Sequence, residues 1–337
     1  MNPGSSNFLP HIRLNEIMAS FMLSKAMYTA STLGIADAIT GQEKSVTEIA
    51  TATGTNELAL TRLLRYLSQR GVFQAVAPDV YVHNELSTLL KSSHPLSTIV
   101  HFLGDPVLWT AWEGISHSLY SGQPAFEKLY HMSLWEYMKQ HPDYDAVFNR
   151  AMAGLSLQAE QLIDHYDFAP FDTIVDVGGG NGTLLRALLL RYPSLTGVLF
   201  EQATLEEVAR SLLAAEPALQ GRYEIMSGDF FQFLPGGGDL YIFKHILHDW
   251  NDDQVMQILV NCRRVMHPGQ RGIIIEQLLQ RDNPSDSVLS IDMVLLALLP
   301  GHERTAEEFR KLLTDSGFSM KVIPTTTPYS IIEFAVV

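Results

Sequence analysis

The sequence predicts an α/β protein: a Rossmann-like, doubly wound sheet of mostly parallel strands, preceded by a mainly helical domain of winged-helix pattern. Three observations lead there. Beyond about residue 170, apolar runs of strand length alternate with helical segments, the signature of a mostly parallel sheet covered by helices on both faces. The run Thr173-Ile-Val-Asp-Val177 ends in glycines at 178, 179, 180 and 182 and opens into a helical segment, 184–192. Such a turn at a helix N-terminus lets a ligand lie against bare backbone. The first hundred residues read as helix, turn, helix and a two-stranded wing.

The elements follow in order. Ile17, Phe21, Ala26 and Leu33 recur at roughly helical spacing. Ser45 and Glu48 make a capping box for a short helix ending near Gly54. Asn56 caps a second helix with Leu60, Leu63, Leu64 and Leu67 on one face, closed by Gly71. Residues 72–76 and 81–83 flank a Pro-Asp turn and form the wing. A winged helix can read DNA, but residues 1–100 carry seven cations against seven anions, and a groove reader is basic. Packing or dimerisation is the reading favoured for this domain. Residues 101–165 form a helical linker rich in aromatics, including Phe102, Trp109, Trp112, Trp135, Tyr144 and Phe148. These serve the core or wall an aromatic-binding pocket.

The sheet domain spans 166–337. Strands are expected at 173–177, 197–200, 223–226, 240–243, 272–275, 320–323 and 331–336. Helices are expected at 184–190, 205–214, 251–266 and 305–317. Asn251 with Gln254, and Thr305 with Glu308, form capping boxes.

Composition narrows the function. The chain of 337 residues is 46% hydrophobic and 18% charged, enough for a sizeable core, and its net charge of −14 disfavours nucleic acid or an anionic membrane as partner. A single cysteine, Cys262, rules out an intramolecular disulfide and a cysteine-based zinc site. No basic-then-apolar leader opens the sequence and no stretch reaches membrane-spanning length, so a cytoplasmic location is expected.

The ligand of the glycine turn is decided by detail. A dinucleotide fingerprint needs G-x-G-x-x-G, yet Thr183 stands where the third glycine belongs. Asp176, two residues before Gly178, repels a diphosphate and welcomes a cation. Asp-x-Gly-x-Gly-x-Gly therefore favours a nucleoside carrying an ammonium and a sulfonium, S-adenosylmethionine, over NAD. A purely structural glycine turn is the competing reading. The next strand ends in Glu201, placed to accept ribose hydroxyls. The one after gives Gly228-Asp229-Phe230, a carboxylate for an adenine amino group and a ring to cover the base. Acids at successive strand ends favour a nucleoside site over solvated loops.

The fourth strand ends in Phe243-Lys244-His245-Ile-Leu-His248-Asp-Trp250. Histidine is the usual general base near neutral pH, although a lone histidine is as readily structural. Glu276 ends the following strand and Glu303 opens the Glu-Arg-Thr segment before the next helix. Two carboxylates beside a histidine fix its tautomer and stabilise its cation. A metal held by His245, His248 and acids is disfavoured, because these residues sit at a strand end, and no metal is expected.

His-Asp-Trp after a strand, Asp-Val-Gly-Gly-Gly-Asn-Gly upstream and Glu-Arg-Thr downstream resemble the S-adenosylmethionine-dependent O-methyltransferases of the caffeate, isoflavone and hydroxyindole type, which include many microbial tailoring enzymes. The resemblance covers nearly the whole chain, including an N-terminal domain that dimerises in that family. It implies His248 as the base, flanked by Glu276 and Glu303. It implies Asp176, Gly178, Gly180, Glu201, Gly228, Asp229, Phe230 and Lys244 as cofactor residues, with Trp250 near the adenine. Glu201-Gln202 departs from the family's usual Asp-Leu-Pro, but a longer acid still reaches a diol. The implied acceptor is a phenolic or enolic hydroxyl of an aromatic or polyketide-like molecule, since an aliphatic alcohol is too weak an acid for histidine. Phe148, Met152, His245 and Met293 are candidate acceptor contacts, with Phe102, Trp109, Leu155, Leu298 and Leu299 as further candidate walls and plain core packing as their alternative. The run 295–300 is similarly divided between pocket and core. Carbon or nitrogen methylation, a non-methylating rearrangement on the same cofactor, and a winged-helix regulator sensing a nucleoside are the rival functions.

Overall fold

The computed structural model describes residues 10–41 and 43–337, with side chains throughout except at 155–160. The chain divides into two compact units, one ending at Trp109 and the other beginning at Thr110.

In the first unit, helices Val46–Thr53 and Glu57–Gln69 form the helix-turn-helix. Ser45 and Glu48 close their capping box, and Asn56 accepts the N–H of Ala59 at 3.0 Å. Gly54 ends the first of these helices in the left-handed conformation, at φ +67°. The wing is strands β2 (Gln74–Ala77) and β3 (Val80–Val82), and a short β1 (Lys44–Ser45) joins them in the order β1-β3-β2. Val72 and Phe73, expected in the wing, instead plug the core beside Leu60, Leu64 and Leu67. Ile17, Phe21 and Leu33, expected at helical spacing, stand exposed, as do Leu14, Met18 and Met22. The helices Pro10–Met18 and Ser20–Thr32 thus carry an apolar face that this chain leaves open.

The second unit is built on seven strands, β4 (Thr173–Val177), β5 (Thr196–Glu201), β6 (Tyr223–Ser227), β7 (Leu240–Lys244), β8 (Arg271–Glu276), β9 (Phe318–Ile323) and β10 (Ser330–Val336), in the order β6-β5-β4-β7-β8-β10-β9. The first five strands in that order are parallel, while β10 runs antiparallel to both β8 and β9. Each central strand is buried on both faces, which is why it reads as a continuous apolar run. Ile174, Leu199, Ile242 and Ile273 pack with helices Thr183–Arg191 and Glu206–Ala214. Val175, Phe200, Phe243 and Ile274 face the other way, toward helices Asp252–Val265 and Ala306–Asp315. Strand order reverses between β4 and β7, and the crevice beyond their C-terminal ends is where such sheets bind ligands. Among the described residues, no helix is long and apolar enough to cross a membrane.

Candidate active site

The turn after β4 matches the demands placed on its glycines. Gly178, Gly180 and Gly182 have φ of +66°, +60° and +80°, where residues with a Cβ are strained. At Gly178 a methyl group would strike Ile246, and at Gly179 it would strike Asp176 and Leu199. At Gly180 nothing lies within 4 Å of the same position among the described residues. Its backbone is bare on the open side, which is the surface a nucleoside needs.

Asp176 is buried beneath this turn, and its Oδ2 has no hydrogen-bond partner among the described residues. Burial lifts its carboxyl to about 7, with the Lys244 ammonium opposing the rise. Burial in turn lowers the Lys244 ammonium to about 8, held up in part by Asp176. The acid at the strand end is therefore a buried group under the turn. A cationic ligand nearby favours its ionised form. Glu201 at the end of β5 accepts the Gly180 N–H at 2.9 Å and the Gln202 N–H at 2.7 Å. Burial raises its carboxyl, and those two N–H donors counter the rise. Each carboxylate oxygen retains a second lone pair, so the group can still take a ribose diol. The bare backbone at Gly180, the orphaned oxygen of Asp176 and the carboxylate of Glu201 fit a cationic nucleoside.

Beyond β6, the Gly228 N–H donates to the carbonyl of Glu201 at 3.0 Å, and its missing side chain makes room for the Phe200 ring. Asp229 accepts the Phe231 N–H at 2.9 Å and the Gln232 side-chain amide at 3.1 Å. Helix Asp252–Val265 fastens the segment from behind, Gln257 donating to the Phe231 carbonyl and Asn261 to that of Phe230. Neither contact is legible in the sequence, because both join residues some 26 to 31 positions apart. Trp250 meets Phe230 and Phe231 edge-on and stacks on Trp135 at 5.6 Å between ring centres. Trp135 contacts Phe148 edge-to-face at 5.9 Å. An aromatic wall therefore runs from Phe148, on helix Pro142–Ala159, to Phe230 and Phe231. Met152 is one turn along the same helix and half-buried.

His248 sits in a single 3₁₀ turn, Leu247–Asp249, directly ahead of the Asn251 cap. Its Nδ1 pairs with Glu303 Oε1 at 2.8 Å, and its Nε2 faces Asp249 Oδ1 at 3.5 Å. Burial by itself would lower the imidazolium; the carboxylates of Asp249, Glu303 and Glu276 outweigh it and raise it to about 10. Burial lifts the Glu276 carboxyl to about 7 and that of Asp249 to about 6, His248 opposing in both. Glu276 differs from expectation. Its Oε1 accepts the backbone N–H groups of Leu247 and His248, at 2.8 and 3.1 Å, so it holds the turn instead of the ring. Asp249 takes the ring-side place beside Glu303. Sequence reasoning missed it, although it is the histidine's immediate neighbour.

His245 adopts φ +54° and packs its ring near His248 and Tyr329, at 5.4 and 4.9 Å between centres. Burial, Lys244 and His248 together keep it neutral, well below the usual histidine range. Met293 is exposed on helix Asp286–Leu298, next to Asp292, whose carboxylate accepts the Glu303 N–H at 2.8 Å. Leu295, Ala297, Leu298 and Leu299 are buried, and Leu296 between them is half-buried. Phe102 and Trp109 belong to the first unit, where Trp109 donates to the Leu103 carbonyl and lies under the Lys25 ammonium. The side chain of Leu155 lies outside the described residues.

Comparison with known proteins agrees with this architecture. The family model for an O-methyltransferase domain matches residues 112–319, and that for an O-methyltransferase dimerisation domain matches residues 15–93. The chain is 37% identical to the mitomycin biosynthesis 6-O-methyltransferase of Streptomyces lavendulae, covering 95% of this chain and 93% of that protein. It is also 37% identical to the phenazine O-methyltransferase PhzM of Lysobacter antibioticus, over 95% and 94% of the two chains. A phenazine-1-carboxylate N-methyltransferase of Pseudomonas aeruginosa is 31% identical over 95% of each chain. Among solved structures, LaPhzM superposes with a TM-score of 0.92 at 34% identity, covering 98% of this chain and 100% of that one. CalO1, a methyltransferase in calicheamicin biosynthesis determined in its SAH-bound form, superposes with a TM-score of 0.85 at 30% identity, covering 99% and 100%.

Proposed function

The chain belongs to the O-methyltransferase family, and we propose that it methylates a phenolic or enolic hydroxyl of a small aromatic or polyketide-like metabolite, with His248 as general base. S-adenosylmethionine, when bound, supplies an electrophilic methyl group. Gly178, Gly180, Glu201, Asp229, Phe230 and Trp250 would hold it, with Asp176 and Lys244 beneath. The observation that carries the reading is the buried pairing of His248 Nδ1 with Glu303 at the C-terminal edge of β7, the strand adjoining the glycine turn.

With Nδ1 committed to Glu303, Nε2 is the nitrogen that takes the acceptor's proton. The surrounding carboxylates hold the resulting imidazolium near 10, close to a phenol's own value of about 10. A base that holds the transferred proton this firmly contributes, when positioned against the hydroxyl, roughly 10²–10⁴-fold. Alignment of the acceptor against the aromatic wall adds up to about 7–11 kcal/mol in favourable cases.

N-methyltransferases among the relatives support a second reading, in which the acceptor is a nitrogen with a free lone pair. A nitrogen lone pair requires no base. A screen of phenols, enols and nitrogen heterocycles, read by mass for the gain of one methyl group, identifies the acceptor. The same screen on His248→Ala separates the readings. O-methylation predicts turnover lower by about 10²–10⁴-fold, with S-adenosylhomocysteine affinity kept. Turnover unchanged by the substitution would sink the base assignment.

A further inference from the structure

We propose that Arg304 is a positioning residue, whose guanidinium locks the His248 turn to the Glu303 segment so that the imidazole and its orienting carboxylate are held as one piece. The inference rests on the reading of His248 as the reacting side chain. Its structural content is tested separately below.

Arg304 is fully buried, and the network around it is unusually directed. Nη1 donates to the Leu247 carbonyl at 2.8 Å, and Nη2 donates to the Trp250 carbonyl at 2.7 Å. Nε and Nη2 donate to Asp252 Oδ1 at 3.0 and 2.9 Å. The two carbonyls bracket His248 and Asp249 on either side. The Leu247 carbonyl takes the Trp250 N–H at 3.3 Å, which closes the turn, and the Trp250 carbonyl lies past its end; the guanidinium adds a second donor to the first and supplies one to the other. The turn's opposite edge is held too, since Glu276 accepts the N–H groups of Leu247 and His248. The peptide units around the base are thus gripped by a carboxyl group at their N–H side and a guanidinium at their C=O side.

The residue next to Arg304 is Glu303, the partner of the His248 ring. Its backbone is fixed in turn, Asp292 accepting the Glu303 N–H at 2.8 Å and the Leu279 N–H donating to the Arg304 carbonyl at 3.0 Å. Gly301 completes the clamp. A methyl group there would overlap the His248 carbonyl and the Asp249–Trp250 peptide, so the two segments touch backbone to backbone. Lysine cannot reproduce this geometry, because only the planar guanidinium fork reaches two carbonyls and a carboxylate together.

The test compares Arg304→Lys with Asp252→Asn and Gly301→Ala, assayed in the full chain. Asp252 has an exposed side chain, so its variant folds even where Arg304→Lys does not. The first readout needs no turnover: the proton NMR resonance of His248 Nδ1–H, far downfield in a hydrogen bond to a carboxylate. It is expected to shift upfield or broaden in all three variants. The second is kcat for the acceptor found in the screen, expected to fall roughly 10–100-fold in Arg304→Lys and Gly301→Ala, as misplacement of about 1 Å does, with S-adenosylhomocysteine affinity held within about threefold. The third is a double-mutant cycle with Glu303→Gln, whose combined loss is expected to be smaller than the product of the single losses. An unmoved Nδ1–H resonance in a folded Arg304→Lys or Asp252→Asn protein overturns the proposal, as does a fully multiplicative cycle. If His248→Ala leaves turnover intact while the resonance moves as expected, the base assignment fails and the positioning role of Arg304 stands.

Discussion

Replacing Glu303 by glutamine keeps an acceptor within reach of His248 Nδ1 and removes only the charge. The pair is 2.8 Å apart, buried on both sides, and adjoins the carboxylates of Asp249 and Glu276. A hydrogen bond to a charged partner is worth about 1.5–3 kcal/mol. Taking about 2 kcal/mol as the part lost, the imidazolium falls by roughly 1.5 units at 1.36 kcal/mol per unit. The same energy withdrawn from the proton-accepting transition state lowers the maximal rate roughly 30-fold. The sign on the pH axis follows from the raised wild-type value near 10. Only neutral imidazole accepts a proton, so activity climbs as pH rises toward that value. In Glu303→Gln the rising limb moves to lower pH. The variant's deficit is therefore smaller at neutral pH than on its plateau. The assay is the initial rate at saturating cofactor and acceptor across the pH range, using an acceptor whose own ionisation is measured separately. A limb that stays in place, or moves to higher pH, refutes the assignment of Glu303 as the carboxylate that stabilises the histidine cation.

Three further outcomes are expected. Gly180→Ala meets no described neighbour and carries only backbone strain, about 1–2 kcal/mol, whereas Gly178→Ala adds a collision with Ile246; thermal melts should show the larger loss for Gly178→Ala, and calorimetry should show weakened S-adenosylhomocysteine binding for Gly180→Ala. Asp176, raised to about 7 by burial, contributes stability that is complete below its unfolded value of about 3.9 and is lost as pH rises through 7; Asp176→Asn removes this dependence, so its melting temperature relative to wild type should improve steadily between those limits. The exposed apolar face of Leu14, Ile17, Met18, Phe21 and Met22 lies within or beside the match to the dimerisation domain and is larger than solitary surface residues warrant; light scattering should find a homodimer that the double variant Phe21→Glu, Met22→Lys converts to monomer.

The parts of the molecule legible in the sequence are those governed by near neighbours. The capping boxes at Ser45, Asn251 and Thr305 involve residues three apart, and all three form. Periodicity located the strands of the main sheet to within a residue or two, most directly at the central ones, where a strand buried on both faces must be apolar throughout. It failed at Val72 and Phe73, where an apolar pair fits a core plug as well as a strand. It marked the helical segments around Ile17 and Phe21, but periodicity reports an apolar face without saying what covers it, and both residues stand exposed.

By itself, the sequence determined the doubly wound scaffold, the glycine turn and the identity of the residues that meet beyond the sheet, since parallel strands deliver their C-terminal residues to one edge wherever the loops go. Only the tertiary structure decided what each of them touches there. It set Glu303 on the ring of His248 across 55 positions and turned Glu276 to the backbone of the same turn. It also brought Asp249 to the second ring nitrogen and sealed Arg304 beneath. These are differences of a few ångströms in a buried space. They arise from the packing of loops after separate strands, for which local periodicity carries no information, and in a site of low polarity they fix which group holds a proton and which merely holds its neighbour in place.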